Sequence, residues 1–514
     1  MPLLWWPARA LAGGGFEYPD LGAVAMGRGG AFAAKANNGT AIYYNPSGLA
    51  QQTGWQFLLD GYVVDQSIAY QRTDQAGNPV GPAVFNTGGV TIAPFVAISR
   101  QILPGLTVAV GAYGPPGNGK LSFPDETPPQ LTSAQRATFV SQCGLSVPAS
   151  GAGCPGQNVS SETSAPQKYQ LISQNLLAVY PTVAVGWAPP HLGRWLQVGG
   201  SLQLMYGSSS IRQATFDGAA AEQNSQNPMG GTSKTWTHQP ANELLMYDTI
   251  ANLSVSGMTL TGIFGVTVTP LPSLRIGASY RPKHTLVQSG TLKLDLSPEA
   301  QGINAKVAGP GSSNAPDGAL AAGSGPVTLG AVFPGEFKSG VDYDFGAGDI
   351  ELDFNYTQWS QFQDAVLTPQ FSQSTFTNAP AQLPSAAIPR NFRDTFALRL
   401  GGDFRIPVPV VRLTVRAGGG YESSAYDPSQ PQYVTVGYAN FAQIYGALGA
   451  TVGLGWFDLD LAYNHVYMPE DDVRNSGVNA AVNGAPTPSA PVIVGNGNYK
   501  SSYDVLALGL RAHF

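Results

Sequence analysis

The sequence is poor in charged residues and contains no long apolar run. Of its 514 residues, only 11% are Asp, Glu, Lys or Arg, against about 25% in ordinary soluble proteins. No stretch reaches the roughly 18 consecutive apolar residues that a membrane-spanning helix needs. The mean hydropathy of -0.04 fits strands that alternate lipid-facing apolar residues with lumen-facing polar ones. These features together predict a transmembrane β-barrel.

Basic clusters, histidines and cysteines are also scarce. A formal net charge of -6 without any Lys/Arg cluster argues against a nucleic-acid partner. The five histidines have no nucleophile motif beside them, which disfavours an outer-membrane hydrolase, and we expect no enzyme activity. No metal-binding spacing occurs, and we expect neither a metal nor a cofactor. Cys143 and Cys154 enclose a short Gly/Pro/Ser-rich loop that a disulfide can close; the alternative is two free thiols.

Apolar and polar residues alternate along many short segments, as they do in strands with one face in lipid. In the C-terminal YDVLALGLRAHF, Leu506, Leu508 and Leu510 share one face with Phe514, and the opposite face is mixed. An aromatic residue that closes the last strand resembles the signal by which the outer-membrane assembly machinery recognises its clients. We therefore expect that machinery to be a partner, through Phe514.

The alternation predicts an all-β fold, a fourteen-stranded antiparallel transmembrane barrel. The predicted strands are 56–70, 91–102, 106–113, 175–188, 195–212, 252–268, 273–288, 326–345, 349–361, 392–405, 411–423, 441–455, 457–468 and 503–514. Short turns near Leu103, Pro270, Gly346 and Trp456 alternate with long connections at 114–174, 213–251, 289–325, 362–391 and 469–502. Short periplasmic turns and long extracellular loops are typical of bacterial outer-membrane barrels. A soluble β-sandwich, the alternative, has no reason to separate its loops in this way.

The lumen-facing positions carry charges of both signs. They lie on the ninth, tenth and eleventh predicted strands: Glu351, Asp353, Arg393, Arg399, Asp403, Arg412 and Arg416. Side chains on neighbouring strands are close enough to form ion pairs, so we interpret these charges as a network that braces the wall. A lumen filled with opposed charges indicates an obstructed barrel and not an open diffusion pore.

The N-terminal residues differ from the rest of the chain. The small-x-small triplet from Ala10 to Ala12 suits signal peptidase, and we interpret residues 1–12 as a residual signal peptide; a disordered tail is the alternative. Residues 13–54 combine a Gly-rich turn, an Ala-rich piece and an Asn-Pro turn, all small enough to fold inside a barrel. The predicted units are therefore the signal peptide, a hatch at 13–54 and the barrel at 55–514.

This N-terminal segment resembles the hatch of the FadL family of outer-membrane transporters of hydrophobic compounds. The resemblance is carried by Leu21-Gly22, by GRGGAF and by AIYYNPSGLA, with Gly27, Gly29, Gly30, Phe32, Asn45, Pro46 and Ser47 as the hatch residues. The family usually has alanine at position 47, and we expect this small change to have little effect. The blocks LRIGASYR, FKSGVDY, DFNYTQWS, RDTFALRLGGDF and VRAGGGY extend the resemblance into the strands.

The resemblance implies passive uptake of long-chain fatty acids or hydrocarbons, by capture among the extracellular loops, passage to a lumen site and lateral release into the membrane lipid. In the family, a kink in the third strand opens the lateral exit. Here the candidates are Gly111, Gly114, Pro115 and Pro116, because proline removes a ladder donor and glycine permits a bend. The two prolines could instead only end the strand.

Capture requires apolar side chains on an extracellular loop. The candidate groove residues are Leu244, Leu245, Met246, Tyr247 and Ile250 on one loop and Leu292 and Leu294 on the next. A fatty-acid carboxylate would meet a lumen cation, and the candidates are Arg212, Arg275 and Lys338. We expect a monomer with both termini in the periplasm. A structural or adhesive barrel is the alternative function.

Overall fold

A computed structural model describes residues 20–114, 119–125, 165–192, 195–215, 249–296, 323–374, 380–382, 385–439, 441–480 and 492–514. These residues form a wall of fourteen strands. They are β1 Trp55–Arg72, β2 Thr91–Leu103, β3 Leu106–Tyr113 with Lys120–Ser122, β4 Ser173–Trp187, β5 Leu196–Thr215, β6 Thr249–Leu271, β7 Leu274–Arg281 with His284–Leu296, β8 Gly323–Phe333 with Glu336–Asp344, β9 Gly348–Thr357 with Asp364–Pro369, β10 Ala386–Pro389 with Thr395–Pro407, β11 Arg412–Glu422, β12 Gln443–Leu454, β13 Phe457–Val473 and β14 Gly497–His513.

The remaining elements are short. The helices α1 Ala23–Gly27 and α2 Ala41–Tyr44 and a 3-10 turn at Pro46–Gln51 precede the barrel. A second 3-10 turn, Trp359–Gln361, interrupts β9. Three further pieces of strand, Val84–Phe85, Ser372–Ser374 and Pro380–Gln382, lie in the connections. Among the described residues, no helix is both long and apolar enough to cross a membrane.

The strands close into a barrel because the first strand pairs with the last. β1 is antiparallel to β14 from Gln56 opposite His513 to Arg72 opposite Gly497, and it pairs with β2 on its other side. The alternation predicted for the C-terminus is confirmed: Leu506, Leu508 and Leu510 are exposed on the outer face, whereas Val505 and Ala507 are buried. The wall therefore presents apolar side chains outward, as a lipid-facing surface requires.

The short hairpins gather at one end of the barrel. Gly105, Gly346 and Gly455 each adopt a positive φ in these turns, a conformation that glycine enters at little cost. Exposed aromatic side chains surround the same end, and the ring centroids of Trp456 and Phe514 lie 5.1 Å apart. This arrangement matches the aromatic girdle of an outer-membrane barrel at a membrane interface.

Four adjacent strands are longer than predicted, and each is interrupted once. β7 continues to Leu296 beyond a break at Pro282, and the first part of β8 ends before Pro334. The predictions of loops at 289–325 and 362–391 were therefore wrong at their ends, which are strand. Proline lacks the N–H group that would continue the ladder, but the alternating pattern resumes beyond it.

Two further local predictions are wrong because large side chains are buried at these places. Leu292 and Leu294, predicted to lie on an extracellular loop, belong to β7 and are buried. Trp359–Gln361, predicted as the end of the ninth strand, is a 3-10 turn, and the ring of Trp359 packs edge-on against Phe392 at a centroid distance of 5.7 Å. In both places burial of large side chains decides the local structure.

Candidate functional site

The N-terminal segment lies inside the barrel. Except for Asn37, every residue from 20 to 50 is buried, and the segment packs against the inner face of the wall. We call residues 20–52 the plug. Its chain turns at Gly29 and Gly30, which both adopt a positive φ, so the segment folds back within a narrow space.

Glycines in the wall allow the plug backbone to lie directly against the strands. A side chain added at Gly401 or Gly418 would collide with the plug backbone at Arg28. One added at Gly277 would collide with it at Ala33, and one added at Gly199 would collide with it at Pro46. Gly27 makes the reciprocal approach from the plug, because an added Cβ would lie 3.0 Å from the Cα of Gly449 on β12. The fit between plug and wall is thus set by backbone contact, which only glycine permits.

Arg28 and Lys35 anchor the plug to β9 and β10. The Arg28 guanidinium lies 2.5 Å from Asp349, 2.7 Å from Asp403 and 3.0 Å from Glu351. The Lys35 Nζ lies 2.5 Å from Asp349 and 2.8 Å from Asp403. Burial alone would lower the pKa of Arg28, but the surrounding carboxylates raise it above its usual value, so the guanidinium stays charged.

Backbone groups of the plug complete this anchor. The N–H groups of Phe32 and Ala33 donate to the Asp353 carboxylate at 2.8 and 2.9 Å. Asp20 at the start of the plug pairs with Arg399 on β10. The predicted charge network exists, but much of it binds the plug as well as bracing neighbouring strands. Sequence reasoning missed Arg28 and Lys35 as its partners, although both are cations in a segment that faces a lumen rich in carboxylates.

The Asn-Pro turn is held by neutral hydrogen bonds near β6. The Asn45 Nδ2 donates to the Ala33 carbonyl at 2.8 Å, and its Oδ1 accepts from the Ser47 hydroxyl at 2.6 Å. The same hydroxyl lies 2.7 Å from the Thr267 Oγ1 on β6. The substitution of the family's usual alanine by Ser47, for which little effect was expected, therefore adds hydrogen bonds that alanine cannot make.

The plug meets β3 through apolar and aromatic side chains. A Cβ added at Gly111 would lie 2.7 Å from the Cδ1 of Ile42. The ring of Tyr43 packs edge-on against Tyr113 at a centroid distance of 5.4 Å. Tyr113 also stacks between Phe95 of β2 and Tyr180 of β4, at 5.2 Å from each. This contact surface contains no ion pair within the residues that the structure describes.

β3 is interrupted directly above this contact. Its two parts both pair with β4, Tyr113 opposite Tyr180 and Lys120 opposite Asn175. Between these parts the Leu176 N–H donates to the Gly119 carbonyl at 2.6 Å, and residues 115–118 lie outside the described residues. Gly111 lies within the first part of β3 and Gly114 directly follows it, whereas Pro115 and Pro116 lie outside the described residues, so the lateral exit stays a prediction.

A cavity of about 710 Å³ occupies the lumen above the plug. Its lining is mostly aliphatic and aromatic and comes from both sides of the barrel: Gly119 and Leu176 near β3, Met205, Leu253, Leu286, Leu292 and Leu329 along the wall, and Phe333, Phe362, Ile388 and Arg390 near β10. Polar side chains interrupt this lining, among them Gln170, Gln174, Gln213 and Gln288. A mainly apolar cavity that also presents polar groups is the usual form of a small-molecule site.

The three cations proposed from the sequence do not line this cavity. Arg212 pairs with Asp125, and Arg275 lies 2.6 Å from Asp342. Lys338 lies 3.3 Å from Glu336 and stacks over the Tyr43 ring at 3.9 Å. Each is thus engaged by the protein, whereas Arg390, which sequence reasoning missed, does line the cavity.

The groove residues proposed from the sequence are dispersed. Leu292 lines the cavity, and Leu294 is buried beside it on β7. Ile250 lies on β6 and packs against a separate cluster around Tyr169 and Ile172. Leu244, Leu245, Met246 and Tyr247 lie outside the described residues, as do Cys143 and Cys154, so the proposed groove and disulfide stay predictions.

The fold and the site together define the protein as an outer-membrane β-barrel whose lumen holds a plug and an apolar cavity. Residues 192–499 match the model of the family described as outer membrane protein transport protein (OMPP1/FadL/TodX). Because this match covers more than half of the chain, the protein belongs to that family. The resemblance found in the sequence is thereby confirmed, and the family is one of transport proteins and not of enzymes.

Solved structures share the fold at low sequence identity. A FadL homologue of Pseudomonas aeruginosa aligns with a TM-score of 0.71 and 16% identity over 98% of this chain and 100% of that one. The toluene transporter TbuX of Ralstonia pickettii aligns with a TM-score of 0.57 and 16% identity, over 96% of this chain and 99% of that one. The toluene transporter TodX of Pseudomonas putida aligns with a TM-score of 0.59 and 13% identity, over 96% of this chain and 99% of that one.

A curated relative matches a shorter region. An outer membrane protein of Neisseria meningitidis serogroup B is 30% identical over 115 residues, which are 22% of this chain and 25% of that protein. The match thus spans about a quarter of the relative's length.

Proposed function

We propose that the protein takes up long-chain fatty acids or hydrocarbons passively, through the cavity above the plug, and releases them sideways into the membrane at the interruption in β3. The observation that supports this proposal is the cavity itself, which is apolar and extends to Gly119 at the edge of the interruption. Family membership supports transport of hydrophobic compounds in general. Two relatives of the same fold are named as toluene transporters, so hydrocarbons stay candidates beside fatty acids.

Two features favour a sideways route: the plug fills the lumen below the cavity, and an apolar solute is more stable in lipid than in water. Below the cavity the lumen is filled by the plug, which buried ion pairs hold to β9 and β10. An apolar solute gains about 25 cal/mol for each Å² kept out of water, so lipid is a better destination than periplasm. Beside β3 the described plug residues include the apolar and aromatic contacts of Ile42 and Tyr43 and a hydrogen bond from the Thr107 hydroxyl to the Gln52 carbonyl.

The membrane orientation is part of the proposal. The short hairpins and Phe514 lie at one end, which we place in the periplasm together with both termini. The long connections then face the outside, where the loop of Leu244 to Tyr247 would capture the solute before it reaches Leu292. Residues 1–12 as a residual signal peptide, and recognition of Phe514 by the assembly machinery, belong to the same proposal.

Uptake of radiolabelled oleate and toluene tests the proposal. Cells that express the protein should accumulate at least one of the two faster than cells with an empty vector. A variant that lacks residues 13–51 should also admit small hydrophilic solutes, because the lumen would lose its plug. If neither labelled solute enters faster than in the empty-vector cells, the transport function is wrong, and a structural or adhesive barrel becomes the better account.

A further inference from the structure

The lipid-facing side of the wall has a groove where the first and last strands meet. The groove has a volume of about 460 Å³ and crosses β14, β1, β2 and β3. Its edges are exposed aliphatic and aromatic side chains: Phe57, Leu59, Val96, Ile98, Val110 and Leu510. Ala112 and Ala512 lie opposite Val96 and Phe57 in the strand register, on the same face, and their small side chains leave the hollow between these edges.

Arg100 lies at the end of this groove that is nearest the short hairpins. It follows Val96 and Ile98 on the outward face of β2, where alternate side chains point to lipid. It lies opposite Trp55 of β1, and its guanidinium carbon is 4.9 Å from the centroid of the Trp55 ring. Trp55 in turn stacks on Phe57 at the edge of the groove, with 6.1 Å between the ring centroids. The charge therefore lies within the aromatic girdle, at the level of the lipid head groups.

Arg100 differs from two other exposed arginines at this end of the barrel. Arg405 lies 3.1 Å from Asp344, and Arg412 lies 3.0 Å from Asp458. Within the part of the chain that the structure describes, no carboxylate forms an ion pair with Arg100. The Trp55 indole contacts the guanidinium but supplies no oxygen acceptor to its five N–H donors. These donors form a planar fork that fits two oxygens of a phosphate group.

The surroundings of the groove select its occupant. Bilayer hydrocarbon is as apolar as the groove, so an acyl chain gains no hydrophobic free energy when it moves from lipid to protein. The affinity must therefore come from a head group on Arg100, while the groove orients the chain by close packing. A second copy of this barrel is a poor occupant, because a two-fold contact through this face would bring two Arg100 charges together.

We propose that Arg100 and the groove form a site for one diacyl phospholipid of the surrounding membrane. The guanidinium donates to the phosphate oxygens, and one acyl chain lies along the groove. The four residues from Arg100 to Val96 span about 13 Å of strand, so the groove leads from head-group level into the hydrocarbon. The ligand is a lipid of the membrane and not the transported solute. With the orientation proposed above, the site belongs to the periplasmic leaflet.

Native mass spectrometry of the full chain in detergent micelles tests the head-group contact. The probe is dioleoylphosphatidylglycerol, whose head group carries a phosphate and no cation that would compete with Arg100. Arg100→Gln should lower the affinity of the one-to-one complex by about tenfold, as loss of a charge-assisted hydrogen bond implies. Arg100→Lys keeps the charge and should recover part of the affinity. Arg412→Gln, an exposed arginine at the same end but outside the groove, is the control and should change it by less than about twofold.

A second pair of variants tests the position of the acyl chain. Ala112→Phe fills the hollow and leaves Arg100 in place, so it should lower the affinity for the same lipid by about tenfold. Ala450→Phe is the matched control. Ala450 lies opposite the exposed residues Val415 and Leu461, so it shares their outward face, and it lies outside the groove. Its substitution should leave the affinity within about twofold of wild type.

Four outcomes would overturn the inference. Equal losses in Arg100→Gln and Arg412→Gln would mean that the lipid is attracted by any exposed cation. Unchanged binding in either Arg100→Gln or Ala112→Phe would remove the head-group or the chain contact. A complex of two protein chains without lipid would identify a second copy as the occupant. Displacement of the phospholipid by equimolar oleate would assign the groove to the solute. Heat-dependent migration on SDS gels verifies that each variant barrel is folded.

Discussion

The two sides of the plug bind the wall in different ways. Toward β9 and β10 the contacts are charged and buried, with Arg28 and Lys35 among Asp349, Asp403 and Glu351. Toward β3, β4 and β5 the described contacts are aliphatic and aromatic, as at Ile42 and Tyr43, with neutral hydrogen bonds from Thr107 and Gln203 to plug carbonyls. A charge that leaves its partner in a buried site incurs a large cost, whereas an apolar contact can be exchanged for a contact with an apolar solute. Under the proposed function, a hydrophobic solute displaces the plug on the side next to the β3 interruption.

Loss of the charged anchor is expected to have the largest effect. Arg28→Met removes a guanidinium that pairs with four buried carboxylates and leaves these charges with fewer partners. We expect the free energy of unfolding to fall by about 3–5 kcal/mol, as measured by urea unfolding of the barrel in detergent or lipid. The plug should also loosen, which would raise ion conductance across a planar bilayer.

Arg412→Met is the matched control for this prediction. Arg412 also pairs with an aspartate, Asp458 at 3.0 Å, but its side chain is 57% exposed at the barrel end. Surface pairs of this kind contribute at most about 1 kcal/mol. Similar losses of stability in the two variants would show that the buried ion pairs of Arg28 contribute no more than an exposed pair.

The charged anchor also shows the limit of sequence reasoning. Alternation located the fourteen wall strands, and the first part of β3, Leu106–Tyr113, has the predicted bounds. The same pattern placed Glu351 and Asp403 in the lumen. It could not tell that Arg28, more than 300 residues earlier, would meet them, because that contact depends on how the closed barrel holds the plug.

Burial outside the regular pattern was equally hard to predict. The predicted strands 273–288 and 326–345 run through Pro282 and Pro334, where the structure breaks each strand and then resumes it. The sequence did not single out Arg390, which precedes a predicted strand, because nothing in the sequence shows that Gln363 and Tyr438 pack against it. The motif predicted the turn at Asn45, where the bond between the Asn45 amide and Ser47 is local in sequence, but not the contact with Thr267 on β6.

Gly111→Val on β3 should lower both transport and stability, because the added Cβ also meets the backbone of β2. In Gly111→Val, the added Cβ would lie 2.7 Å from the Ile42 Cδ1 and 2.6 Å from the Val96 carbonyl, so the side chain would fill the space between plug and β3. We expect oleate uptake to fall by about tenfold, the equivalent of roughly 1.4 kcal/mol in barrier height. Initial rates of labelled oleate uptake measure this effect.

Gly61→Val controls for the loss of a strand glycine. Gly61 lies on β1, and no atom lies within 4 Å of a Cβ added there. Its substitution should leave uptake within about twofold of wild type. If Gly111→Val transports as fast as Gly61→Val, the exit does not pass between Ile42 and β3.

The smallest loss of stability is expected at Ser47, which holds the plug by neutral hydrogen bonds and not by ion pairs. Ser47→Ala removes the hydroxyl that bonds Asn45 at 2.6 Å and Thr267 at 2.7 Å, and it restores the residue usual in the family. Loss of one buried neutral hydrogen-bonding group costs about 1 kcal/mol, well below the cost expected for Arg28→Met. Urea unfolding of Ser47→Ala, Thr267→Val and the double variant forms a cycle that isolates the pair, whose coupling should be about 0.5–1.5 kcal/mol. Strictly additive costs would mean that the two hydroxyls do not stabilise the plug through each other, and that the Asn45 turn holds its place on β6 without Ser47.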